Sequence, residues 1–121
     1  MSNSLLNEEF KKCLKKFPEL KDVELMVKEA SELAGAEGWF GCKRVVILYV
    51  PEILKNKPKC LAPVIYHELS HIINKEDPDK VFFERADEDS KLLWKHLQRA
   101  KAISCKIEEI YGVRKVKGNE R

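Results

Sequence analysis

A single small domain that mixes amphipathic helices with a buried strand is what this chain predicts, and three observations carry that reading. Arg44-Val45-Val46-Ile47-Leu48-Tyr49-Val50 is an apolar, β-branched run closed by Pro51, the pattern of a strand buried in a core. Leu5 to Phe17 sets Leu6, Phe10, Cys13, Leu14 and Phe17 on one side of a helix. Leu61, Ile65, Leu69 and Ile72 recur at spacings of four, four and three, which packs one side of a second helix inward. With 121 residues, 44% of them hydrophobic, there is apolar material for one core and no room for a second, so residues 1–121 are read as one domain.

The elements follow in order. The first helix ends at Pro18. Val23, Leu25 and Val27 alternate as a strand does, yet Val23, Val27, Ala30 and Ala34 before Gly35 read equally well as a helix with its cap, and local pattern does not decide. Gly35 to Gly41, with three glycines in seven residues, reads as a turn. After the strand come a short helical segment near Pro51 to Leu54 and a Lys/Asn/Pro turn over Lys55 to Lys59, leading into the helix of Leu61 to Ile72. Asp77-Pro78-Asp79 breaks the chain. From Lys80 to about Tyr111 the sequence predicts one continuous helix with Leu93, Leu97, Ala100, Ser104 and Ile107 as its core stripe, closed by Gly112.

Charge and cysteine usage narrow the function classes. Lys and Arg are interleaved with acids for a net charge of +3, apart from the tail residues Arg114, Lys115, Lys117 and Arg121, so there is no strong nucleic-acid signal. No stretch approaches a membrane span, and the first residues lack the basic and apolar regions of a secretion signal, which predicts a cytoplasmic protein without a membrane partner. Cys13, Cys42, Cys60 and Cys105 are scattered without a CxxC pair, which argues against a zinc knuckle and for structural thiols.

The chemistry is concentrated in His67-Glu68-Leu69-Ser70-His71, an HExxH pattern inside the apolar run Val64 to Ile73. On a helix the two imidazoles lie one turn apart on one face, where they can converge on one cation with Glu68 beside it. Zinc so held lowers the pKa of a bound water, and a carboxylate that is not a ligand takes the proton as the water attacks a peptide carbonyl. Glu68 is the candidate base. Two histidines hold zinc poorly, so a third protein ligand is needed. A chain that leaves His71, reverses through Glu76 to Asp79 and returns antiparallel brings Glu84 level with the metal. On one continuous helix, however, Glu84 falls nearly opposite the Leu93/Leu97 stripe, so Asp87 and Asp89 stay open as ligands. Glu88, one turn beyond Glu84, is placed to accept a hydrogen bond from a ligand histidine, and Asp87 is the other supporting carboxylate. His96 lies roughly 24 Å along the returning helix, too far to serve.

His67-Glu68-Leu69-Ser70-His71 followed by Glu84-Arg85-Ala86-Asp87 resembles the gluzincin pattern, HExxH and then a glutamate with Ser, Gly or Asp three residues on. The small size and the layout of Leu5 to Tyr111 resemble the minimal soluble members, the minigluzincins. The resemblance implies an α+β zincin-like fold, a small sheet over the active-site helix whose edge strand binds extended peptide, and a glutamate helix after it. Under it Val23 to Val27 becomes a strand, His67, His71 and Glu84 become Zn2+ ligands, and Glu68 the general base and acid. The step from His71 to Glu84 is short for the wider group, and Ala-Asp follows the glutamate one residue early. The resemblance further implies a metallopeptidase acting on peptides or unfolded protein, latent where a C-terminal segment fills the cleft; here that segment is 113–121, and self-association is a second way to mask the cleft. The alternative is a zinc-binding interaction or regulatory domain whose activity has lapsed, against which the intact Glu68 speaks. A regulator acting on a DNA-bound partner would need a DNA-binding extension, for which the sequence offers no segment.

Overall fold

The computed structural model describes residues 2–98, in the order helix α1 (Ser2–Leu14), strands β1 (Val23–Glu29), β2 (Ala34–Phe40) and β3 (Lys43–Val50), a 3-10 turn at Glu52–Leu54, helices α2 (Pro58–Ile73) and α3 (Pro78–Arg85), and a further helix α4 over 88–98. It is an α+β domain. Expectations that fall on Ala100, Ser104, Cys105, Ile107, Gly112 and the tail 113–121 lie outside the described residues.

The strand order is β1-β3-β2, with β1 parallel to β3 and β2 antiparallel to it. The most apolar strand takes the centre because it is shielded on both edges, and Val45, Val46, Leu48 and Val50 are all buried. β1 forms from Val23 as the resemblance implies, pairing Val23 with Arg44 through to Glu29 with Val50. Asp22 turns the chain into it at a positive φ of 59°.

Gly35 to Gly41 is not a turn. It is strand β2, paired from Ala34 opposite Tyr49 to Phe40 opposite Lys43, and the turn shrinks to Gly41-Cys42 with Gly41 at φ 66°. Gly35, Ala36 and Gly38 have little intrinsic strand preference, so tertiary pairing with β3 overrides local composition here.

α2 lies at the centre, packed on β2 and β3 and on helices α1 and α3. Leu61, Ile65 and Leu69 are fully buried, as the sequence spacing predicts, and Ile72 packs partly against the same core. From α1 come Leu6, Phe10 and Cys13, and just beyond it Phe17; the α-helix stops at Leu14, three residues before the expected end, and a tighter turn with Phe17 N–H donating to Leu14 C=O carries Phe17 into the core. Burial, with Glu9 nearby, pushes the Cys13 thiol up to about 12, so it packs as a neutral apolar group.

The expected continuous helix from Lys80 is broken in two. Ala86 adopts extended backbone (ψ 156°), and Asp87 restarts the chain as a cap, its carboxylate accepting from Ser90 N–H at 2.8 Å. Buried Ala86 and Ser90 fix the corner against the core. The reversal before α3 is built the same way. Asn74 closes α2 and its side-chain oxygen accepts from Glu76 and Asp77 N–H, and Asp77 then caps Lys80 N–H with Pro78 at the first helical position.

Arg85 pins the end of α3 to the segment after α1, donating two hydrogen bonds to Glu19 (2.6 and 2.7 Å) and one to Lys16 C=O while its guanidinium stands over the Phe17 ring. This partner lowers the Glu19 carboxyl from 4.5 to about 2. A depressed folded-state pKa contributes stability that is present above the unfolded value and lost as pH falls through the folded one. Chemical denaturation of Glu19→Gln beside the parent chain is therefore expected to show the parent more stable at pH 6 to 7. The gap should close as pH falls from 4.5 toward 2; a pH-independent gap would remove the ion pair as its cause.

Candidate metal and catalytic site

The apolar stripe of α2 fixes which way its polar residues face. With Leu61, Ile65 and Leu69 locked inward, His67 and His71 come out together on a partly exposed face, ring centroids 4.5 Å apart and nearly perpendicular at 87°. Two imidazoles one turn apart suit zinc by donor type and by spacing. Glu68 lies beside them, nearly buried, with Oε2 3.8 Å from His67 Nδ1, too long for a hydrogen bond.

Glu68 is held from the other side by β2. A Cβ at Gly35 would stand 2.7 Å from Val64 Cγ1, 2.8 Å from Glu68 Cγ and 2.9 Å from Glu68 Oε2, so the absent side chain is what lets the strand cross this turn of α2. One edge of β2 pairs with β3, and no other described strand pairs with its outer edge. The carboxylate therefore sits beneath the start of an edge strand.

Residues that sequence reasoning did not single out complete the surroundings. Trp94 of α4 stacks on the His67 ring at 4.4 Å and 28°, and Phe82 of α3 approaches both, 6.3 Å from His67 and 5.5 Å from Trp94. Together they wall one side of the imidazole. Asp79, in the first turn of α3, brings Oδ1 to 3.7 Å from His67 Nε2. Its place after the Asp77-Pro78 break was the available signal, but nothing local says that the reversal delivers it to the histidine.

The acidic residues expected near the metal are distributed differently. Glu84 is exposed on α3, whose inward side is made by Val81 and Phe82. Asp87 spends its carboxylate on the Ser90 cap, and Glu88 is exposed and paired with Lys91 at 3.1 Å. Asp89 and His96 are exposed on α4. Among the described residues no three His, Cys, Asp or Glu side chains stand close enough together to hold a metal ion as they are placed.

No described helix is long and apolar enough to cross a membrane. Compared with protein-family models, with curated proteins and with solved structures, the chain returned no match.

Proposed function

We propose that this protein is a zinc-dependent metallopeptidase of the minigluzincin type, with a zincin-like arrangement of sheet and helices. The observation that carries the reading is the placement of Glu68: nearly buried, beside His67, whose ring lies against that of His71, and packed under the edge strand through Gly35. A carboxylate that served only solubility would face solvent.

His67 and His71 supply two of the ligands. Zinc held there would supply Lewis acidity toward a water and a peptide carbonyl. Glu68 takes the proton of the attacking water and returns it to the leaving amine, the double role of a base that is not itself a ligand. The outer edge of β2 offers backbone donors and acceptors to an extended peptide, which by strand addition would run past the Glu68 carboxylate. Trp94 and Phe82 keep the His67 ring from swinging out of position.

The substrate class is peptide or unfolded protein in the cytoplasm, and latency through 113–121 belongs to the same proposal. Metal analysis of the purified chain is expected to find about one zinc per chain, with His67→Ala and His71→Ala both losing it. Cleavage of unstructured peptides is measured on the full chain and on a form lacking 113–121, each at several dilutions, because self-association would also mask the edge strand. Zinc binding without cleavage by either form would favour an interaction domain with a lapsed site. A chain that takes up no zinc after supplementation would sink the metal reading altogether.

A further inference from the structure

We infer that Asp79, and not Glu84, is the third protein ligand of the proposed zinc centre; this rests on the metal reading above and deepens it, and it departs from the glutamate ligand that the minigluzincin resemblance implies. α3 presents Phe82 toward His67, ring to ring at 6.3 Å. At 100° per residue Glu84 points roughly 160° away from Phe82, and it is exposed, so reaching the histidines would require α3 to turn by almost half a revolution. Buried Val81 and Phe82, and the Arg85–Glu19 pair, hold α3 against that rotation.

Asp79 lies only roughly 60° from Phe82 on the same helix, on the side that meets α2. Its Oδ1 is 3.7 Å from His67 Nε2. That is too long for a hydrogen bond. It is close to the roughly 3.3–3.4 Å that separates two donors when each is about 2.0–2.1 Å from one tetrahedral zinc. The Asp79 side chain is 69% exposed, which leaves it free to swing the remaining distance and close the cage with His71.

The other acids are committed or misdirected. Asp87 caps α4 and Glu88 pairs with Lys91. On α4 the inward positions are Ser90 and Trp94, four apart, and Asp89 sits roughly 100° off Ser90 on the exposed side. Eight residues carry the chain from His71 to Asp79 through the Asn74 and Asp77 caps.

The test measures zinc affinity of the full chain by competition with a chromophoric chelator, together with the visible absorption of the Co2+-substituted protein. The set comprises the parent, Asp79→Ala, Asp79→His, Glu84→Ala and His71→Ala. Asp79→Ala should weaken zinc at least 100-fold and change the Co2+ bands, as His71→Ala does; Asp79→His should restore most of the affinity, and Glu84→Ala should stay within about two-fold of the parent. Thermal unfolding of the metal-free forms checks that Asp79→Ala is folded. The inference is overturned if Asp79→Ala binds zinc like the parent, if Glu84→Ala is the variant that loses it, or if Asp79→Ala weakens binding while the Co2+ bands are unchanged, which would make Asp79 an orienting partner of His67. Undiminished zinc in His71→Ala would instead discard the histidine site itself, a different failure.

Discussion

Glu68→Gln is expected to lower the rate of peptide cleavage on the order of 10²- to 10⁴-fold while leaving zinc content at the parent level. The amide keeps the shape that fits under Gly35 and removes only the capacity to take a proton, so the substitution separates base from ligand. Because Glu68 is nearly buried beside Val64 and β2, truncation to Ala would open a cavity and confuse loss of chemistry with loss of packing; Gln avoids that. The measurement is kcat on an unstructured peptide with metal analysis of the same samples. Loss of zinc together with activity would make Glu68 a ligand, and unchanged kcat would remove it from the mechanism.

What could be read from the sequence is what depends on one element at a time. The HExxH residues sit on a single helix whose apolar stripe, Leu61, Ile65 and Leu69, is set by spacing alone, so the side on which His67 and His71 emerge follows before any tertiary contact is known. β3 was legible for the same reason, being apolar at every position that the sheet and helices enclose. β1 was ambiguous because as an outer strand it is only half buried, and Val23, Leu25 and Val27 satisfy two periods at once.

The misreadings were of features that exist only once elements meet. Gly35 and Gly38 announce a turn in isolation, yet Gly35 is there because α2 passes within contact of the strand backbone. A glycine that permits close approach and a glycine that permits positive φ look alike in sequence. The break at Ala86-Asp87 was hidden because acidic residues are favoured both on a helix surface and at a helix start; only the buried Ala86 and the Asp87 cap on Ser90 distinguish the two. Once the helix is broken, Trp94 is redirected onto His67, and the continuous register that set Glu84 against the Leu93/Leu97 stripe no longer applies. The 3.7 Å approach of Asp79 to His67 was hidden for a related reason, since it is made by the α2–α3 reversal and not by any periodicity.

Gly35→Ala is expected to lower activity by about 10²-fold or more and to destabilise the fold by about 1–3 kcal/mol. The added methyl carbon would stand 2.7 Å from Val64 Cγ1, and Val64 cannot yield easily because its branched side chain is buried and rotationally stiff. The softer neighbour is Glu68, whose Cγ and Oε2 lie 2.8 and 2.9 Å away, so the strain is relieved mainly by turning that carboxylate or by lifting β2 off the helix. Either movement displaces the proposed base from the histidines by a distance on the scale that costs 10²-fold in rate. Zinc should be retained, because the three atoms nearest the new methyl belong to Val64 and Glu68 and none to His67 or His71. Gly38→Ala is the control: no heavy atom lies within 4 Å of a Cβ there, and it pairs in the same strand, so it carries the change in strand propensity without the clash. Denaturant midpoints, zinc content and kcat on the three proteins distinguish the cases. Equal kcat for Gly35→Ala and Gly38→Ala would mean that the close approach of β2 does not seat Glu68, whatever its effect on stability.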